Sequence, residues 1–171
     1  MAKAYKPLPH ASELWELFDY KPLTGELVWR TSRGRTAKAG TPAGSVERKG
    51  YVRVIVKGEK YLAHRLVYVW VTGFSPDSQV DHGNRDKADN CCWNLRPADS
   101  YQNGYNREGR NKYGFKGVSR AKGKYRAYIS HLGRQIYVGG GYETPEEAGA
   151  AYAKAAAELH GEFACIDKGA G

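Results

Sequence analysis

The sequence predicts an α+β fold: an N-terminal β-rich region, followed by a three-stranded antiparallel sheet packed on one helix. Three observations in its 171 residues carry this. Short runs of Val, Ile, Tyr and Trp alternate with polar residues and are cut by glycine turns, as strands are. One long segment, Thr144 to Gly161, has both a helix start and a helix stop. Hydrophobic residues make up 41% and charged residues 26%, which suffices for a core and excludes a disordered or collagen-like chain.

The first strand is Gly25-Glu26-Leu27-Val28-Trp29-Arg30. Gly50-Tyr51-Val52-Arg53-Val54-Ile55-Val56 follows, then the turn Lys57-Gly58-Glu59 and the strand Lys60-Tyr61-Leu62-Ala63. His64 to Thr72 is a short buried helix stopped by Gly73, although a strand would show the same apolar run. Val80 ends a strand, a Gly, Asn and Asp cluster makes a loop, and Trp93-Asn94-Leu95-Arg96 returns as a second short strand. Asp99 or Ser100 then caps a short helix carrying Asn103.

The polar stretch Asn106 to Gly114 divides the chain into domains 1–107 and 113–171 with a linker at 108–112. Beyond it come strands near 115–120, 124–131 and 134–139, joined by Ala121-Lys122-Gly123 and Leu132-Gly133. Thr144 is the N-cap of the helix, Pro145 its first residue, Glu146 and Glu147 fill its first turn, and Gly161 ends it. Alternation puts Tyr125, Ala127, Ile129, Ile136 and Val138 under Ala148, Ala151, Tyr152, Ala155 and Leu159. The opposite face collects Lys116, Arg126, Tyr128, Ser130, Gln135 and Tyr137.

Charge and composition narrow the partners. The longest apolar run, Leu66 to Val71, is far short of the ~20 residues of a membrane span, and no signal peptide pattern opens the chain. A soluble, intracellular protein without a membrane partner is expected. The three cysteines, Cys91, Cys92 and Cys165, show no CxxC spacing, so neither a disulfide framework nor a structural zinc site is expected. The net charge of +9 favours a polyanion. Residues 110–142 hold eight basic and no acidic side chains, while 143–167 hold one basic and six acidic. A basic, aromatic sheet face backed by an acidic helix points to nucleic acid, with a merely solvated charged face as the alternative.

One segment offers chemistry. Phosphodiester hydrolysis needs a base for water, a cation for the charge on phosphorus and the leaving oxygen, and a group that fixes the base's tautomer. His82 can be the base. Asp81 and Asn103 are hard oxygen ligands suited to Mg²⁺ or Mn²⁺, and the Asn94 carbonyl can accept the other imidazole N–H. A lone Asp-His pair is more often a surface pair, and only the added Asn94 and Asn103 lift it. His64 reads as a core or capping histidine, with a phosphate contact as its functional option. Cys91 and Cys92 read as packing residues, Asp86 and Asp89 as turn formers, His10 as solvated, and His131 and His160 are assigned no chemistry.

The segment resembles the HNH (His-Me finger, ββα-metal) endonuclease family. It carries Asp81-His82, Asn94-Leu95-Arg96 twelve residues after the His, Asn103 nine further on, and Ala63-His64-Arg65-Leu66-Val67 through Thr72-Gly73 upstream. Asn in place of the third His is the version found in phage and homing members. The resemblance implies a ββα-metal motif in the N-terminal domain, with His82 as general base and Asn94 as its orienter. Asp81 and Asn103 are then ligands of one divalent metal, with Asn106 the rival for Asn103. Residues 113–167 resemble the APETALA2-type (ethylene-response-factor-like) DNA-binding domain through Lys116-Gly117-Val118, Gly123-Lys124-Tyr125-Arg126-Ala127, Ile136-Tyr137-Val138-Gly139, Thr144-Pro145-Glu146-Glu147-Ala148 and Leu159-His160-Gly161. Its base-contacting positions match Lys116, Ser119, Tyr128, Ser130, Gln135 and Tyr137, several of which are arginines in the family.

Together these imply a double-stranded DNA endonuclease that nicks one strand per binding event, as a monomer or a dimer. A phage or mobile-element origin, hence a bacterial cytoplasm, goes with the resemblance. The alternatives are an inactive DNA-binding regulator or architectural protein, and a structure-selective RNA-binding protein. The latter is disfavoured because a sheet of this kind enters a major groove that A-form RNA closes.

Overall fold

Helix α1 (Ala11–Leu17) opens the described part of the chain, residues 6–109 and 111–166 of a computed structural model. Two units divide at Pro97/Ala98, and each is described by itself.

In the first unit, α1 buries Ala11, Leu14 and Leu17, and its N-cap His10 accepts from the Ser12 amide through Nδ1 at 3.3 Å. This helix was not legible: it is seven residues long and its cap is not one of the usual Ser, Thr, Asp or Asn. Strand β1 (Phe18–Lys21) runs antiparallel to β2 (Glu26–Trp29), with Phe18 opposite Trp29 and their rings 4.5 Å apart. Strands β3 (Ser45–Val46), β4 (Val52–Val56) and β5 (Glu59–Leu62) form a second sheet in that order. Lys57 and Gly58 both have positive φ, as a two-residue hairpin loop demands.

Helix α2 (Ala63–Thr72) settles the strand-or-helix ambiguity and stops at Gly73, which is left-handed at φ 80°. Its Leu66 and Val67, both 0% exposed, meet Leu14, Phe18 and Val54 in the core; each large side chain so buried contributes roughly 1.5–3 kcal/mol. Strand β6 (Gln79–His82) pairs with β7 (Leu95–Ala98), which follows a 3₁₀ turn at Cys92–Asn94.

In the second unit, α3 (Ser100–Tyr105) is started by a capping box. Asp99 Oδ1 accepts from the Tyr101 and Gln102 amides, and Gln102 Oε1 accepts from the Asp99 amide. Strands β8 (Val118–Ala121), β9 (Lys124–His131) and β10 (Arg134–Tyr142) form an antiparallel sheet in the order β10-β9-β8. Helix α4 (Pro145–His160) starts at Thr144, whose hydroxyl accepts from the Glu147 amide. Val118, Ala127, Ile129, Ala148, Tyr152 and Ala156 make the core. Ile136, expected under the helix, and Leu159, expected on the helix face that covers the sheet, remain 40% and 38% exposed. Ala156 is buried in α4, and Ile136 stays in register opposite the buried Ile129 but on the edge strand β10, whose register shifts only after Tyr137.

The unit boundary lies at Pro97/Ala98, upstream of the polar stretch 108–112 from which the sequence reading placed it. Two side chains explain the difference. Lys116 Nζ donates to the carbonyls of Gly104, Tyr105 and Arg107, the orphan acceptors at the end of α3. Asn111 bonds the Phe115 and Val118 carbonyls and shapes the approach to β8. Arg110, inside that stretch, lies outside the described residues.

Candidate functional site

Asp81 and His82 end β6, 8% and 4% exposed respectively. Arg96, on the paired strand β7, donates from Nε and Nη2 to Asp81 Oδ2 at 3.2 and 3.0 Å, which fixes the carboxylate by a charge-assisted pair. His82 Nε2 lies 3.2 Å from Asn90 Oδ1. The Asn90 amide nitrogen donates to the Ala88 carbonyl at 3.1 Å, so its oxygen is the atom turned to the ring. An amide oxygen can only accept; Nε2 therefore carries the proton and Nδ1 the lone pair. Burial pushes the His82 pKa below the usual imidazole value, against the Asn90 bond and the nearby Asp81, Asp89 and Asp86, which raise it. The ring is neutral near pH 7.

Asn94 is placed otherwise than the resemblance implies. Its Oδ1 accepts from the Asn84 amide and its Nδ2 donates to the Asp89 carbonyl, both at 2.8 Å. It ties the two ends of the 83–94 loop together and meets no imidazole nitrogen; Asn90 is the residue that does. Within the loop Asn84 Nδ2 donates to Asp89 Oδ2 at 2.7 Å, and Asp86 accepts from the Ala88 amide. Asp86 and Asp89 are thus the turn formers expected of them. Hydrogen bonds from Cys91 and Asn84 hold the Asp89 carboxyl below its usual range.

Two residues that sequence reasoning missed hold this loop from outside. The Tyr20 hydroxyl, on β1, donates to the Asn90 carbonyl at 3.1 Å and accepts from the Cys92 amide at 2.8 Å; burial raises the phenol pKa. Gly25, at φ 72°, leaves room for the loop: a Cβ there would stand 2.5 Å from the Asn90 carbonyl carbon. Contacts seventy residues apart leave no local signal. Cys91 is buried, its thiol pushed up to about 11 by burial, and Cys91, Cys92 and Cys165 form no disulfide among the described residues.

Around the His82 ring stand two more. His64 lies edge-on at 4.8 Å between centroids, 73° between planes, and Tyr51 lies 6.1 Å from His82 and 5.5 Å from His64. His64 is a buried histidine, as its sequence context suggested, with its pKa lowered to about 3 chiefly by burial.

Asn103 lies on α3 in the second unit, and Asn106 is that helix's C-cap, 6% exposed. On the sheet, pairing sets Ser119 against Arg126, Tyr128 against Tyr137 and Ser130 against Gln135. Those six predicted contact residues therefore share one face, opposite the face of Ala127 and Ile129. Gly140, opposite Arg126, belongs to it too: a Cβ there would collide with the Tyr137 hydroxyl and Arg126 Cγ. Lys116 stands apart, before β8, its ammonium on the α3 carbonyls. Tyr128, Ser130 and Gln135 also line a cavity of about 310 Å³ whose other wall includes Tyr101 and Tyr105 of α3. His131 and His160 pack around Tyr105, with the His160 ring stacked on it at 3.7 Å.

No protein-family model and no curated protein matches the chain. A solved structure concerning DNA binding and cleavage by the HNH homing endonuclease I-HmuI is similar at 23% sequence identity and a TM-score of 0.39. The similarity covers 52% of this chain and 50% of that one, so the chain spans about half that protein's length.

Proposed function

We propose that the chain is a metal-dependent DNA endonuclease that nicks one strand per binding event, with His82 as general base in an HNH-type ββα-metal motif. The supporting observation is the buried neutral imidazole of His82, its Nε2–H on Asn90, beside a carboxylate that Arg96 fixes.

The donors suit a hard divalent cation. Asp81 and Asn103 offer a carboxylate and an amide oxygen, and among the described residues no cluster of three or more His, Cys, Asp or Glu could hold a metal. An oxygen pair of this kind fits Mg²⁺ or Mn²⁺, which keep several waters. Asp81 and Asn103 would hold the ion, which when bound stabilises charge on the phosphoryl oxygens and on the leaving oxygen. His82 Nδ1 takes the proton of the attacking water as its oxygen bonds to phosphorus and the bond to the 3′ oxygen breaks. Products carry 5′-phosphate and 3′-hydroxyl ends. Asn90 keeps the tautomer, and Asn94 keeps the loop that presents Asn90.

The second unit supplies docking, in the manner of the APETALA2-type domain it resembles. Arg126 and the tyrosine, serine and glutamine side chains of its open sheet face meet phosphates and base edges of duplex DNA, with counterion release as the driving term. Conversion of supercoiled plasmid by wild type and His82→Ala, in Mg²⁺, Mn²⁺ and chelator, tests the reading. Nicking is expected only with metal, and about 10²–10⁴-fold slower in the variant. Undiminished cleavage by His82→Ala would overturn the mechanism; duplex binding without cleavage by wild type would favour a DNA-binding regulator.

A further inference from the structure

We propose that the cavity between α3 and the sheet of the second unit is a binding site for a single unpaired nucleobase of a DNA strand. That DNA reaches this unit rests on its proposed docking role; the cavity itself does not. Helix α3 lies outside 113–167, so this wall is no part of the APETALA2-type resemblance. At about 310 Å³ the cavity is near the lower end of the roughly 300–1,000 Å³ usual for ligand sites. It has room for one base with its sugar and none for a base pair stacked between neighbours. Rings make up much of the lining: Tyr101, Tyr105, Tyr128, Tyr152 and His160. Among the described residues that line it there is no carboxylate to draw a cation and no aliphatic side chain to hold an acyl chain. Lys116 has its ammonium on three α3 carbonyls, which takes up its three N–H donors and leaves little for a phosphate. A flat, neutral, hydrogen-bonding ring fits such a lining, and in a unit that docks DNA a nucleobase is that ring.

The walls stand before any ligand arrives. The Tyr105 hydroxyl accepts from the Leu132 amide at 2.7 Å, and the Tyr105 ring, 8% exposed, stacks on His160 at 3.7 Å. His160 Nε2 in turn donates to the Ser130 carbonyl at 2.9 Å, which ties the helical wall to the sheet. Tyr101, 48% exposed, stands over the turn after β9: a Cβ at Gly133 would lie 3.4 Å from its ring and hydroxyl. On the sheet side Ser130 and Gln135 are cross-strand partners, both exposed, so a hydroxyl and an amide stand side by side. An amide donates and accepts at once, as the edge of adenine requires. Walls so held leave little ordering for a ligand to offset. The remaining cost is taking the base out of its stack, which is least for a base without a partner.

The test uses the full-length protein with chelator present, so that no strand is cut, and two duplexes at one salt concentration. One is fully paired; the other is the same duplex with one unpaired adenine. Wild type should bind the second about five- to hundredfold more tightly, the worth of stacking one base on an aromatic ring. A bulge also bends DNA, so the variants carry the assignment. Ser130→Phe fills the cavity from an exposed position and should bring the ratio of the two affinities to within about threefold of one. Tyr101→Ala removes the outer wall, should do the same, and decides where Ser130→Phe does not fold. Arg126→Gln, whose side chain is not in the lining, should weaken both duplexes alike and keep the ratio. A ratio near one in wild type, or a wild-type ratio in the folded Ser130→Phe, would overturn the proposal. Titration with millimolar deoxyadenosine, read at the Leu132 and Gly133 amides, needs no duplex docking. Shifts are expected in wild type and not in Ser130→Phe, and their absence in wild type would overturn the site. If wild type binds neither duplex, the docking reading fails and this titration alone decides the cavity.

Discussion

Two asparagines four residues apart in one loop make different kinds of bond, and substitution should separate them. Asn90 touches His82 directly, whereas both amide bonds of Asn94 go to loop backbone. Asn90→Ala is expected to slow nicking about ten- to hundredfold through loss of tautomer control, and, because it leaves the buried His82 N–H without this acceptor, to lower the free energy of unfolding by about 1–3 kcal/mol. Asn94→Ala takes the side-chain partner from the Asn84 amide and the Asp89 carbonyl, two part-buried bonds, and should cost about 1–3 kcal/mol of stability together with activity lost through the loop. The two part at the imidazole: ¹H–¹⁵N spectra of the His82 ring should lose the single tautomer in Asn90→Ala and keep it in Asn94→Ala, and a wild-type spectrum in Asn90→Ala would show that the loop does not divide the roles this way. The buried imidazoles give a pH dependence with a definite sign. His64 titrates near 3 when folded and at its ordinary value of 6.5 when unfolded, so below pH 6.5 the unfolded chain binds more protons. Stability is therefore fully present above pH 6.5 and falls toward pH 3, by about 1.4 kcal/mol per pH unit from His64 alone. Urea midpoints at pH 7.5, 6 and 5 should fall more steeply for wild type than for His64→Phe. Nicking should decline with its own acid limb below pH 6.5, where His82 becomes imidazolium.

At the scale of elements, the loop between β6 and β7 is shaped as much by the β1–β2 hairpin as by its own sequence. Gly25→Ala places a methyl group 2.5 Å from the Asn90 carbonyl carbon at a positive φ, and neither the turn nor the loop can keep its place. A loss of about 2 kcal/mol or more is expected, together with most of the nicking activity; an unfolding midpoint equal to wild type would contradict the packing. This dependence marks where sequence stopped being informative. The β4–β5 turn, the C-terminal hairpins and α4 carry their signals locally, in paired positive-φ turn residues and an N-cap threonine, and were legible, whereas α2 had a stopping glycine but an apolar run that a strand would share. Asp81 and His82 were legible as a candidate pair because they are adjacent in the chain. Tyr20, Gly25 and Asn90 were not: their contacts to the loop and the imidazole depend on chain closure or on which of several turn-forming asparagines faces inward. Helix α1 was missed because seven residues with a histidine cap fall below what periodicity can resolve.

At the scale of the whole chain, the position of the unit boundary changes what a separable DNA-docking module should contain. Composition pointed to a start at 113, beyond a polar stretch, but α3 has its bonding partners further along the chain. The Tyr105 hydroxyl accepts from the Leu132 amide at 2.7 Å, and its ring stacks on His160. Lys116 closes the α3 carbonyls, and Ala98, Tyr105 and Phe163 form a small core of their own. A fragment 98–171 retains all of these; a fragment 113–171 leaves Lys116 without its acceptors and uncovers Phe163 and His160. The longer fragment should unfold in one cooperative urea transition. The shorter should lose roughly the burial of one aromatic side chain and the Lys116 cap, about 3–5 kcal/mol, a large fraction of what a domain of this size has to lose. Both retain Ser119, Arg126, Tyr128, Ser130, Gln135 and Tyr137, so wherever the shorter fragment stays folded its salt slope for duplex DNA should match that of the longer within about one unit. A slope reduced by more than that would return Lys116 to the phosphate contacts and away from α3.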